Sequence, residues 1–97
     1  MIASFGDQGT VDLFNGRDTR AARRSCPAAL WRVARRKLDQ LNAATRLETL
    51  RVPPGNRLEA LSGDRAGQHS IRVNDRYRLG FRWREAGAEA VEIVDYH

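Results

Sequence analysis

The sequence predicts an α+β fold, with N-terminal helices packed on a small twisted, mainly antiparallel sheet. Three observations carry this. In the first half, Leu30, Ala34, Leu38 and Leu41 recur at helical spacing and form one apolar stripe. After the turn-rich Arg51-Val52-Pro53-Pro54-Gly55-Asn56 the period becomes two: in Tyr77-Arg78-Leu79-Gly80-Phe81-Arg82-Trp83 the apolar residues share one face. The length, 97 residues, fits a single domain over 1–97 with one modest core.

The elements follow in order. Ile2 to Phe5 reads as a short apolar strand. Asp7 can cap a brief helix through Val11, Leu13 and Phe14 that closes near Asn15-Gly16. Arg17, Arg20, Arg23 and Arg24 read as a basic connector. Pro27 suits the first position of the longest helix, where Val33, Lys37 and Ala44 flank the leucine stripe. Arg32, Arg35, Arg36 and Asp39 occupy its opposite face, and the three arginines suit a phosphate backbone or plain solvation equally well. The leucine face needs an apolar partner, and the sheet that follows supplies one.

Leu58 and Leu61 bracket a short strand, and Gly63 to Gly67 form a loop. His69 to Val73 and Tyr77 to Trp83 make a hairpin, and Glu85-Ala86-Gly87 leads into a last strand through Ala90 to Val94. Parity selects the hairpin turn. A two-residue turn would set Val73 opposite Arg76 and mix charge with apolar side chains. A three-residue turn at Asn74-Asp75-Arg76 pairs Val73 with Tyr77 and Ile71 with Leu79. The same register sets Arg72 beside Arg78, like charges that are unfavourable unless an anion lies between them.

Charge narrows the partners. The formal charge is +5 with a pI near 10.6, and Lys37 is the only lysine. Arginine presents a rigid, always-charged fork matched to phosphate or carboxylate, so the bias favours a polyanion: nucleic acid or an acidic protein segment. Cys26 stands alone, which excludes an internal disulfide and fits a reducing compartment. No stretch reads as a signal peptide or a membrane span, so a cytoplasmic protein is expected. His69 and His97 are far apart and lack metal-ligand spacing, so neither metal nor other cofactor is expected.

The sequence ends on Asp95-Tyr96-His97, three side chains that accept, donate and relay protons at the end of a strand. Arginines lie on one face of the hairpin just upstream. Taken together, they suit chemistry on a phosphodiester.

From Arg57 to Leu79 the order of residues resembles HigB-type toxins of the RelE/ParE superfamily. The likeness runs through Arg57-Leu58-Glu59-Ala60-Leu61-Ser62-Gly63-Asp64-Arg65-Ala66-Gly67, the Ser70-Ile71-Arg72-Val73 strand, the polar turn and Tyr77-Arg78-Leu79. The closing Asp95-Tyr96-His97 resembles the family's usual ending, and the likeness extends over nearly the whole chain. It implies the RelE-like microbial RNase toxin fold and a ribosome-dependent mRNA endonuclease from a type II toxin–antitoxin pair. Such toxins cut mRNA in the ribosomal A site without a metal. The implied partner is a HigA-type helix-turn-helix antitoxin, with operator DNA reached only through it. Three positions depart from the pattern: Tyr77 replaces a common Trp, Ser62 a frequent lysine, and Glu59 a histidine that is catalytic in some members.

The reaction so implied is attack of an RNA 2′-OH on the adjacent phosphorus, giving a 2′,3′-cyclic phosphate and a 5′-hydroxyl. Arg78 is expected on the phosphorane oxygens, with Arg57 or Arg65 fixing neighbouring phosphates and Arg72 and Arg82 completing the basic face. His97 is the favoured acid or base, and Asp95, at the same strand parity, can orient its imidazole. Tyr96 can stack on a base or donate its phenol to phosphate, or pack as a core aromatic. Glu59 can take part as a base or pair with an arginine. His69, Trp31 and Trp83 read as structural, and Cys26 carries no chemistry. Two other readings of the same fold are a catalytically weak protein acting through antitoxin binding and a ParE-like gyrase inhibitor.

Overall fold

The computed structural model describes residues 1–95; Tyr96 and His97 lie outside the described residues. Helix α1 spans Gln8–Phe14, and the Asp7 carboxylate caps it by accepting from the Thr10 N–H at 3.0 Å. Where the basic connector was expected, a second helix, α2 (Arg20–Ser25), forms. Thr19 caps it, its hydroxyl accepting from the Ala22 N–H at 3.0 Å. The physical reason lies between the arginines. Ala21 and Ala22 are strong helix formers, and Ala22 is fully buried. Gly9 of α1 lets the two helices touch, since a Cβ there would lie 2.4 Å from the Ala21 carbonyl oxygen. Pro27 precedes one 3₁₀ turn (Ala28–Leu30), and α3 runs over Trp31–Ala43. Its Ala34, Leu38 and Leu41 are completely buried.

The sheet has four antiparallel strands in the order β1 (Glu59–Ala60), β2 (His69–Arg72), β3 (Tyr77–Arg84) and β4 (Gly87–Asp95). Ile71 lies opposite Leu79, Arg72 lies opposite Arg78, and the Val73 N–H donates to the Tyr77 carbonyl at 2.9 Å. The three-residue turn is therefore the one formed. Ile2 and Phe5 make only single parallel bridges, to Ala88 and Val91, rather than a full strand. Between Gly80 and Arg82 the β3–β4 register shifts. There Ala90 takes a left-handed conformation (φ 52°), and its N–H donates to the Ser4 hydroxyl at 2.9 Å.

Alternation gives the sheet two unlike faces. Ile71, Leu79, Phe81 and Ile93 join Leu13 of α1 and Leu38 and Leu41 of α3 in one core. Ser70, Arg72, Arg78, Gly80, Glu92 and Val94 take the other face, cross-strand neighbours in the observed register. Among the described residues no helix is long and apolar enough to cross a membrane.

Candidate functional site

Arg78 is the best-anchored cation on the polar face. Its side chain is only 11% exposed. Its Nε donates to the Ser70 hydroxyl at 2.7 Å, and one Nη donates to the Arg57 carbonyl at 2.6 Å and, more weakly, to the Ser70 carbonyl at 3.4 Å. A guanidinium fixed at several points loses little rotamer freedom when an anion arrives. The Glu59 carboxylate lies 3.9 Å from the same guanidinium, so Glu59 and Arg78 share the site. Being more than half exposed, Glu59 adds little to stability through this pair.

The other predicted cations divide. Arg57 is exposed beside Arg78, and its backbone is left-handed (φ 46°, ψ 58°), which turns its carbonyl toward the Arg78 guanidinium. Arg72 lies directly opposite Arg78, yet the two guanidiniums are drawn to different partners. Arg72 pairs with Asp75 in the hairpin turn, whereas Arg78 reaches Ser70 and Arg57. Arg65 spans the face above Gly80 and bonds Glu92 at 2.9 Å and Gln68 at 3.1 Å. A Cβ at Gly80 would lie 3.6 Å from an Arg65 Nη, an ordinary contact distance, so the arginine passes directly over this position. Arg82 lies farther along β3, opposite Glu89, with Gly67 close to its guanidinium.

Asp95 ends β4 opposite Tyr77. The Arg76 guanidinium grips its carboxylate with bonds of 2.9 and 2.8 Å and stacks over the Tyr77 ring, 5.7 Å from its centroid. By parity Asp95 belongs with Ile93 and Tyr77, while Val94 faces Arg78. An open hollow of about 410 Å³ adjoins this end, lined by Tyr77, Asp95, Arg24 and Ser25 among others. Tyr96 and His97, placed at the site by sequence, lie outside the described residues.

The structural readings fit their positions. His69 begins β2 and stacks on Phe81, with ring centroids 6.3 Å apart. Trp31 donates its indole N–H to the Cys26 carbonyl at 2.8 Å, and Trp83 packs edge-on against Phe81. Cys26 is buried, and that burial pushes its thiol up to about 11, so the thiolate is disfavoured.

Sequence reasoning missed what lies behind Arg57. Asn56 is fully buried, and Lys37, only 7% exposed, donates its ammonium to Asn56 Oδ1 at 2.5 Å. Asn56 Nδ2 in turn donates to the Leu50 carbonyl at 3.1 Å and to Gln40 Oε1 at 3.2 Å. One signal existed: a single lysine at the margin of an apolar stripe, in a chain that otherwise uses arginine.

Comparison with known proteins places this geometry in context. A family model described as a RelE-like toxin of type II toxin–antitoxin system HigB matches residues 3–97. Over 60 residues the chain is 48% identical to Toxin HigB-1 of Vibrio cholerae serotype O1, covering 62% of this chain and 63% of that protein. Over 57 residues it is 42% identical to an uncharacterized protein of Haemophilus influenzae, covering 59% of this chain and 56% of that one. The matched stretch thus spans about three fifths of the length of each of these relatives.

Proposed function

The chain belongs to the family of RelE-like HigB toxins of type II toxin–antitoxin systems, and from that premise we propose that it is a ribosome-dependent mRNA endonuclease. It cuts in the A site, in the cytoplasm, and is held in check by a HigA-type helix-turn-helix antitoxin that alone contacts operator DNA. The observation that supports the reading is the largely covered, multiply anchored Arg78 guanidinium beside Glu59 and the exposed Arg57.

The chemistry needs no group beyond side chains. The 2′-oxygen forms a bond to phosphorus as its proton passes to a base, and the P–O5′ bond breaks as an acid protonates the departing oxygen. His97 takes one of these proton transfers; Glu59 is the second candidate base. Arg78 stabilises the charge that builds on the phosphorane oxygens, and because it is already oriented it needs no reorganisation at that moment. Arg57, Arg65, Arg72 and Arg82 hold flanking phosphates, Asp95 positions the terminal imidazole, and Tyr96 stacks on a base or donates to phosphate.

Expression without antitoxin, followed by mapping of mRNA 5′ ends, tests this. Codon-phased ends are expected, and Arg78→Lys, which keeps charge but loses the fork, should slow cleavage by about 10²–10³. Growth arrest with intact transcripts would overturn the nuclease reading, and gyrase trapped on DNA would replace it.

A further inference from the structure

We propose that Lys37 is a positioning residue for the site: through Asn56 it holds the Pro53–Arg57 turn, and through the Arg57 carbonyl it fixes the Arg78 guanidinium. This rests on the reading of Arg78 as the phosphate-stabilising group. The chain of contacts is continuous. Lys37 Nζ donates to Asn56 Oδ1 at 2.5 Å, and the Asn56 amide ties the turn to Leu50 and to Gln40 of α3. Within the turn the Asn56 N–H donates to the Pro53 carbonyl at 2.9 Å and the Arg57 N–H to the Pro54 carbonyl at 3.1 Å. Arg57 is thereby held left-handed, and its carbonyl accepts from Arg78 at 2.6 Å.

Two features make this more than packing. A left-handed arginine is costly, and such strain persists only where the surroundings over-determine it, which is typical of functional sites. A buried ammonium is costly as well. Burial first, then the neighbouring Arg36 and Arg72, pushes the Lys37 ammonium below its ordinary value. An apolar side chain would fill the same space without that cost. What Lys37 supplies instead is a directed bond to Asn56, and with it a fixed orientation for the carbonyl beneath Arg78.

The test reads the guanidinium itself. In ¹⁵N-labelled protein the Arg78 Nη–H resonance of the bond to the Arg57 carbonyl, assigned by its loss in Arg78→Lys, should be dispersed and slow to exchange. In Lys37→Met it should move toward the solvent-averaged arginine position, whereas Arg57→Ala, which keeps the carbonyl, should leave it in place. On programmed ribosomes Lys37→Met should lower the saturating single-turnover rate by up to about 10² with little change in the half-saturating concentration. Lys37→Arg, which retains a donor, should recover part of that loss. If Lys37→Met does not fold cooperatively, Gln40→Leu carries the test, with a smaller shift in the same direction. An unmoved Arg78 resonance in a folded variant overturns the proposal. Absence of cleavage by the wild-type protein overturns the nuclease reading instead, and leaves the resonance to decide the positioning role.

Discussion

Replacing Ala90 by glycine should make the protein more stable, against the usual direction of point substitutions. Ala90 sits at the β3–β4 register shift with φ at 52°, where a Cβ crowds its own backbone. A left-handed L-residue costs about 1–2 kcal/mol. Glycine removes that cost but brings greater freedom in the unfolded chain, worth about 0.5–1 kcal/mol. The Ala90 methyl is exposed, so little apolar burial is lost. The central values leave a gain of about 0.75 kcal/mol, or roughly 3–6 °C in Tm for a domain of this length. Urea titration at constant slope and a thermal melt both measure it. The bond from the Ala90 N–H to Ser4 should survive, visible as unchanged exchange protection of that amide. A Tm that falls or stays still would refute the claim that strain resides at this position.

Other outcomes follow from the same physics. Arg57→Gly should also raise stability, since Arg57 is the other left-handed non-glycine residue among those described, yet it should weaken the proposed RNA cleavage by removing the phosphate contact proposed for it; gains in both would sink the assignment of Arg57. Acid sensitivity has a definite sign. Hydrogen bonds from Thr19 first and Gln8 second hold the Asp12 carboxyl below its ordinary 3.8, and the Arg23 guanidinium does the same for Asp18. Their stabilisation is therefore complete above 3.8 and lost as pH falls below it. Asp12→Asn should flatten the urea midpoint against pH only in that acid range; a slope that changes near neutrality instead would contradict it.

Much of the fold was legible because its signals are local. The Asp7 cap, the Ala34, Leu38 and Leu41 part of the α3 stripe and the parity of the hairpin each depend on residues a few positions apart and reappear as read, while Leu30 falls in the 3₁₀ turn that Pro27 introduces ahead of α3. Helix α2 was hidden because its arginines look like a solvated connector, and its stability comes from the burial of Ala22 and the close approach of Ala21 to Gly9 of α1, contacts no local pattern announces. At the site, Arg78 and Glu59 could be named because both lie in the hairpin-and-loop motif. The buried Lys37–Asn56 pair could not, since 19 residues separate the two and Lys37 only flanks the stripe. The left-handed Arg57 was illegible for a different reason: arginine is a poor predictor of that conformation, which tertiary contacts impose.

The place of β4 bears on when this protein can exist at all. β4 lies between β3 and the Ile2–Phe5 segment, so residues far apart in sequence, Ile2 with Ala88 and Phe5 with Val91, must meet before either segment is satisfied. Chain synthesis is vectorial, at about 5–20 residues per second, and a domain closed by its final strand cannot fold while that strand is still inside the exit tunnel. Nascent chains stalled before Asp95 has emerged should accordingly stay protease-sensitive, with protection arriving in one late step. A sheet closed in this order keeps the Arg78–Glu59 face from being assembled until β4 has joined β3.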